Sequence, residues 1–279
     1  MRPDLPPGWA TDLAVLEHTG SVIEDRGDHL VVRTSQNPGY HWGNTIFVTD
    51  GDTVHDANRW MATFHEAHPE ADWIAIGLIR MPDDQSAWTE HGIELELDEV
   101  LTTRTLPVQK PLAEGYTVRR LGGDDWSLSV ARLAGDDAGA READPEGHAR
   151  FAERLVQARR EMSETGVAAF FGAFSGDALV AELGIVRCGT TARYQSVGTE
   201  PEHRRRGLAG HLLGVAARWS ADHGCDRWVI ITEATNPAGR VYRSVGFEPD
   251  IGNAQAYRKP RRWVDRRENG PMSDESGRR

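Results

Sequence analysis

The chain has 279 residues, a net charge of −11 and 39% hydrophobic residues. The length exceeds the usual ~100–200 residues of one domain, so two modules with real cores are expected. The acidic balance argues against a nucleic-acid partner and favours a cationic one such as an amine.

In the first hundred residues, the run Trp60 to His68 predicts a helix and Trp73-Ile74-Ala75-Ile76 a strand. The cluster Tyr40-His41-Trp42 reads as core or lobe interface in preference to a ligand face. A connector, Leu106-Pro107-Val108-Gln109-Lys110-Pro111, follows, and residues 116–121 predict a strand. Residues 134–147, rich in Gly, Asp and Ala, predict a mobile substrate-side loop. Phe151, Leu155, Ala158 and Met162 recur at helical spacing. The apolar runs 166–174 and 179–186, separated by Ser175-Gly176-Asp177, predict a hairpin of central strands.

The most informative stretch is 197–210. Val197 to Thr199 end a strand, Pro201 stops its ladder, and a helix starts near Gly207 with Leu208, Leu212, Val215, Ala216 and Trp219 on one face. His223-Gly224 ends it. The first-turn N–H groups of such a helix have no intrahelical partner and sit at the positive end of the macrodipole. They suit a pyrophosphate, with Gly207 and Gly210 permitting close approach and Arg204, Arg205 and Arg206 supplying charge. An apolar strand Trp228-Val229-Ile230-Ile231, a short helix and a strand opening at Gly246-Phe247 complete the order.

Two motifs carry a resemblance. Arg204-x-x-Gly207-x-Ala209 and, downstream, Ala238-x-x-Val241-Tyr242-x-x-x-Gly246-Phe247 are similar to the two signatures of the GNAT superfamily of acyl-CoA-dependent N-acetyltransferases. The resemblance covers residues 116 to 258 and implies an α/β mixed-sheet fold. It also implies transfer of the acetyl group of acetyl-CoA to a primary amine by direct attack through a tetrahedral intermediate. The implied acetyl-CoA contacts are Val197, whose backbone N–H polarises the thioester, with Thr199, Arg204, Arg205, Arg206, Gly207, Leu208, Ala209 and Gly210. The family often carries Asn seven positions before its tyrosine; here Thr235 stands there, with Asn236 beside it.

Acyl transfer needs a base to neutralise the attacking amine and an acid for the departing thiolate. Tyr242 takes the family's tyrosine position as acid. The strand leading into the cradle, Ala192-Arg193-Tyr194-Gln195, lacks the carboxylate found in many members, so Glu182 and Glu233 are the candidate bases, with Gln195 and Tyr194 lining the acceptor pocket. No metal is called for. The alternatives are a longer acyl group, a hydroxyl acceptor, or an acyl-CoA sensor without turnover.

The first half echoes the second: Trp73 corresponds to Trp228, and the segment at Trp88 to the one at Tyr242, at almost the same offset. Residues 1–108 are therefore expected to form a smaller, degenerate GNAT-like lobe, with an unrelated α/β module as the other reading, and 115–258 the transferase domain. Where a cradle would fall the first half has Thr49-Asp50-Gly51-Asp52-Thr53, whose aspartates repel a pyrophosphate, so that lobe is expected to bind no CoA. Residues 259–279 read as a polar, disordered tail. Only Cys188 and Cys225 occur, both beside apolar runs, which predicts packing residues and a reducing compartment in place of disulfides. Without a ~20-residue apolar run or a signal segment behind Met1, a cytoplasmic protein is expected, with no membrane partner. It would act on a small-molecule or peptide amine, as a monomer with paired lobes or as a homodimer.

Overall fold

The structure, a computed structural model, describes residues 4–135, 142 and 144–260. The predicted tail from residue 261 onward and most of the predicted loop lie outside the described residues; Ala134 and Gly135 end one helix and Pro145 to Gly147 begin the next.

The first half contains α1 (Pro7–His18), β1 (Val22–Asp25), β2 (His29–Arg33), β3 (Thr45–Val48), α2 (Ala57–Ala67), β4 (Ile74–Leu78), α3 (Ser86–Thr89) and β5 (Glu94–Thr103). The second contains β6 (Thr117–Arg120), α4 (Asp125–Gly135), α5 (Pro145–Glu164), β7 (Ala168–Ser175), β8 (Ala178–Cys188) and β9 (Thr191–Thr199). It continues with α6 (Leu208–Asp222), β10 (Arg227–Glu233), α7 (Ala238–Ser244), β11 (Glu248–Pro249) and β12 (Asn253–Arg258). The fold is α/β, and one mixed sheet runs through both halves.

The sheet order is β1-β2-β3-β4-β12-β5-β10-β9-β8-β7-β6. Each half surrenders its last long strand: β12 pairs with β4, and β5 pairs antiparallel with β10. The two exchanged strands then pair with each other, Asp98 opposite Asn253 and Glu96 opposite Gln255. About that junction the halves mirror one another. β3 runs parallel to β4 as β9 does to β10. The sequence repeat is thus a structural repeat, while the exchange has no local signal.

Alternation on the central strands sorts side chains to two layers. Ala169, Phe171 and Ala173 of β7 join the core under α6, whereas Ala168, Phe170 and Phe174 join the core under α4 and α5. Helix α1 was not foreseen. It lays Trp9 and Leu13 against the first half and Ala14 and Val15 against the second, and Asp12 pairs with Arg193 of β9 at 2.8 Å.

The predicted helix at Gly207 is buried over a wider arc than its five-residue apolar face suggested. Leu213 is fully buried and its carbonyl accepts a 2.8 Å hydrogen bond from the Tyr194 hydroxyl. On its other side the connector crosses the helix at two glycines one turn apart. A Cβ on Gly214 would stand 2.3 Å from Gln109 Cα, and one on Gly210 2.8 Å from the Lys110 side chain. His211 Nδ1 lies 2.8 Å from the Lys110 carbonyl oxygen, and Val108 N donates to Val245 O at 2.9 Å. Cys188 and Cys225 are both buried and free.

Gly214→Ala tests this crossing. Alanine favours an isolated helix by about 1 kcal/mol, but the contact is with backbone that has little room to yield. A net loss of about 2 kcal/mol, a fall of roughly 5 °C in Tm, is expected. An unchanged or raised melting temperature would mean that the connector lifts off freely.

Candidate active site

Strands β9 and β10 pair over three residues only, Arg227 to Val229 with Thr191 to Arg193. Beyond them β9 stays with β8 out to Thr199, while β10 stays with β5 out to Glu233. The two strands therefore part, and the sheet opens between residues 194–199 and 230–233. At the opening β9 is bulged: β8 advances from Gly184 to Glu182 while its partner advances from Gln195 to Gly198, and Ser196 takes a φ of +52°. A bulge interrupts the regular ladder there, and Val197 lies within the bulged stretch.

Past Thr199 a short 3-10 turn, Pro201–His203, leads to the start of α6, whose N-cap is Gly207 at φ +77°. Arg205 is also left-handed, at +61°. Alternation of this kind turns successive N–H groups inward and makes a concavity for an anion. The cap itself carries no side chain to compete for the first-turn amides. Arg204 Nε donates to the Thr199 carbonyl at 3.1 Å and Arg206 to that of Glu202 at 3.4 Å. Both arginines brace the turn, and all three are exposed. Leu208 sends its side chain into the core, so only its backbone faces the anion site, and Ala209 is half-buried. Gly210 lacks a side chain because Lys110 lies there. The residues fit a pyrophosphate through their backbone.

The corresponding place in the first half is closed. There β3 and β4 pair Ile46 with Ile76, Phe47 with Gly77 and Val48 with Leu78, and Ile79 N still donates to Val48 O at 3.0 Å. The Trp9 ring covers Gly77, and its Nε1 donates to the Leu78 carbonyl at 3.1 Å. Helix α2 is capped by the Asp56 carboxylate, which accepts from Arg59 N. An anion would find that end already occupied by negative charge.

On the sheet face beneath α1, a cavity of about 730 Å³ spans both halves. Its floor is read off alternate positions of adjacent strands: Arg193 and Gln195 on β9, Ile231 and Glu233 on β10, Glu94, Glu96 and Asp98 on β5, and Asn253, Gln255 and Tyr257 on β12. Its walls include Asp12, Trp42 and Trp73. Glu233 lies there as expected, directly across the ladder from Asp98. Asp98 was missed, although the alternation Glu94-Leu95-Glu96-Leu97-Asp98 marks a strand with one acidic face. Burial pushes its carboxyl up to about 6, helped by the negative charges of Asp12, Glu96 and Glu233 and opposed by Arg193. Gln255 Nε2 donates to it at 2.9 Å.

Two expected residues lie elsewhere. Tyr194 points to the other layer, where it is 1% exposed and bonded to Leu213, because its neighbours Arg193 and Gln195 take the cavity side. Glu182 is not on the cavity wall; it is buried beside Arg132 of α4, at 3.9 Å, and Arg132 also pairs with Glu200. A carboxylate committed to a buried arginine is a poor base, so the candidate base moves to Asp98 and Glu233. Asn236 Oδ1 accepts from Ala238 N at 3.0 Å in the turn before α7, while Thr235 is exposed. Tyr242 is 4% exposed on the α6 layer, and burial raises its hydroxyl to about 12. Among the described residues no His, Cys, Asp and Glu cluster is arranged to hold a metal, and no helix is long and apolar enough to cross a membrane.

An opened parallel pair with a glycine-capped helix start beside it can seat a phosphate-bearing ligand. Residues 135–247 match the model of the Acetyltransferase (GNAT) family, which places that segment of the second half in the GNAT superfamily. Its fold is similar to a GCN5-related N-acetyltransferase from Kribbella flavida, 16% identical, with 91% of this chain and 96% of that one covered and a TM-score of 0.63. A GCN5-related N-acetyltransferase from Sphaerobacter thermophilus, 15% identical, covers 84% of this chain and 82% of its own at a TM-score of 0.54. A tandem GNAT protein from the clavulanic acid biosynthesis pathway, 15% identical, covers 85% and 83% at a TM-score of 0.52. No curated protein matches the sequence.

The position of Asp98 has a consequence for stability. Its folded pKa lies above the usual carboxylate range, so its protonated form is favoured in the folded state. That contribution is present below about pH 4 and is lost as pH rises through about 6. Asp98→Asn should match the wild type at pH 4 and exceed it at pH 7 by on the order of 1 kcal/mol, after allowance for solvent screening. Denaturant midpoints at the two pH values check this; a variant less stable at pH 7 contradicts the assignment.

Proposed function

We propose that the protein is an N-acetyltransferase that moves the acetyl group of acetyl-CoA to a primary amine, using one site in its second half. The observation that carries this reading is the opening between β9 and β10, with an anion-binding turn beside it and an acidic cavity on the face beneath α1. An acceptor entering from the acidic side can reach a thioester lodged in the opening.

The roles follow from position. Asp98 or Glu233, directly or through one water, takes a proton from the acceptor ammonium, which frees the nitrogen lone pair to attack the carbonyl carbon. An ammonium group with a pKa near 10 needs such a partner at neutral pH. The Val197 N–H, in the bulged stretch of β9, stabilises charge developing on the carbonyl oxygen in this reading. As the carbon–sulfur bond breaks, Tyr242 supplies a proton from the other layer, and its raised pKa keeps that proton in place until then. The base and the acid stand on opposite faces of one sheet, so neither quenches the other.

The closed β3–β4 pair and the Asp56 cap support a single cofactor site. Calorimetric titration with acetyl-CoA should give one site per chain. Gly207→Glu should abolish it, since a side chain at φ +77° strains the turn and a carboxylate repels the pyrophosphate. Two sites would refute the closed-lobe reading, and no binding would refute the transferase.

Tyr242→Phe should cut kcat by roughly 10²-fold or more while acetyl-CoA affinity stays within a few-fold. A protein whose acetyl-CoA binding survives with no wild-type turnover to lose would be a sensor.

A further inference from the structure

Once β10 has left it, β9 runs on from residue 194 to 199 with β8 on one edge and no described strand on the other. A half-paired strand end holds its place only through its side chains and whatever meets them. Val197 packs against the core under α6. Its neighbours Ser196 and Gly198 are met instead by helices of the opposite layer, and each of those contacts is made by an arginine.

Arg159 of α5 is 7% exposed, and its Nη2 donates to the Ser196 hydroxyl at 2.5 Å. Arg132 of α4 lies against Gly198, where a Cβ would stand 3.0 Å from its Nη2. The same guanidinium pairs with Glu200, just past the end of β9, and stands 3.9 Å from Glu182 on β8. Residues 196, 198 and 200 are thus held in succession. The two helices share one core, in which Trp126 of α4 and Val156 and Met162 of α5 meet Phe170 and Phe174 of β7. Both arginines therefore reach the strand from one packed layer.

The residue types support a holding role. A guanidinium stays charged, and taking it from water is unfavourable without a compensating contact, so two of them buried against one short stretch mark that stretch as fixed. Ser196 is exposed and left-handed, at φ +52°. Glycine would take that conformation without strain. What serine adds is the hydroxyl that Arg159 holds.

We propose that Arg132 and Arg159 are positioning residues that clamp residues 196–200 and so set the opening between β9 and β10, holding the Val197 N–H toward the thioester carbonyl. The clamp is independent of turnover; its effect on the thioester rests on the transferase reading. Neither arginine touches the reacting atoms. Both act through β9, which separates their effect from that of the turn at 204–210 that would bind the pyrophosphate.

Two measurements on the full chain test this. Hydrogen exchange of the free protein reads the clamp without any cofactor. In Ser196→Ala, which removes only an exposed hydroxyl, the amides of 196–200 should exchange about ten-fold faster or more, the worth of one charge-assisted hydrogen bond. Unchanged exchange overturns the proposal, even if Arg132→Gln or Arg159→Gln fails to fold. The infrared carbonyl stretch of bound acetyl-CoA, isotope-labelled at its carbonyl carbon, reads the consequence. In the wild type it should fall below the frequency of free acetyl-CoA. Most of that shift should be lost in Ser196→Ala and Arg159→Gln and retained in Arg159→Lys, whose ammonium still donates to the hydroxyl. Affinity for acetyl-CoA should stay within about three-fold in all of them, because the phosphate contacts lie elsewhere. No shift in the wild type, or the full wild-type shift in Ser196→Ala and Arg159→Gln, overturns the positioning role. A wild type that binds no acetyl-CoA refutes the transferase reading instead, and the clamp then stands or falls on the exchange rates.

Discussion

The antiparallel pairing of β5 with β12 is the constraint on which the rest of the molecule depends. Each of these strands belongs by chain order to one half and by hydrogen bonding to the other as well, so neither half completes its sheet alone. The exchange puts one row of backbone hydrogen bonds where two lobes would otherwise meet through side chains. It fixes the register between halves, since slipping by one residue would turn Glu94, Glu96 and Asp98 from the cavity to the opposite face. Helix α1 closes the arrangement by bridging the halves, with Asp12 held to both Arg193 and Asn253.

The two halves have diverged at matched positions around this junction. Where β9 and β10 separate after three pairs, β3 and β4 remain paired and are covered by Trp9. Where α6 begins on a glycine, α2 begins on an aspartate. The exchanged strands themselves differ at the residues that face each other across the junction, Asp98 on β5 and Asn253 on β12. The charged member lies beside the open pair and the neutral one beside the closed pair. A fold built twice has thus kept one opened strand pair, and the other copy lines the cavity beside it.

The electrostatics of the site follow from that division of labour. The anion-binding turn is made of backbone amides, which cost no buried charge and need only the left-handed residues Arg205 and Gly207. The cavity side carries carboxylates, and burial together with their mutual repulsion raises Asp98 to about 6. Tyr242, on the other layer, is insulated from those charges by the sheet. A backbone turn suited to an anion and an acidic cavity stand on one sheet because its strands carry polar groups on one face and core on the other.

Local patterns in the sequence determined most of the second half. Glycine and arginine spacing marked the turn into α6, alternation and a Ser-Gly-Asp turn marked β7 and β8, and matched tryptophans marked the repeat. Such features depend on residues close in the chain, where backbone preference and periodicity act directly. The same patterns could not say that Glu182 would meet Arg132, that Gly210 and Gly214 would receive the connector, or that α1 would cross between halves, since each depends on residues far apart in the chain. The clearest case is the base. The strand entering the cradle visibly lacked a carboxylate, and an acidic strand stood in plain view at residues 94–98, yet only the exchange of strands brings one to the other. By itself the sequence determined the family of its second half and the glycine-capped turn into α6. The tertiary structure decided which lobe stays closed and which carboxylates face the cavity, because strand pairing across the whole chain has no local signature.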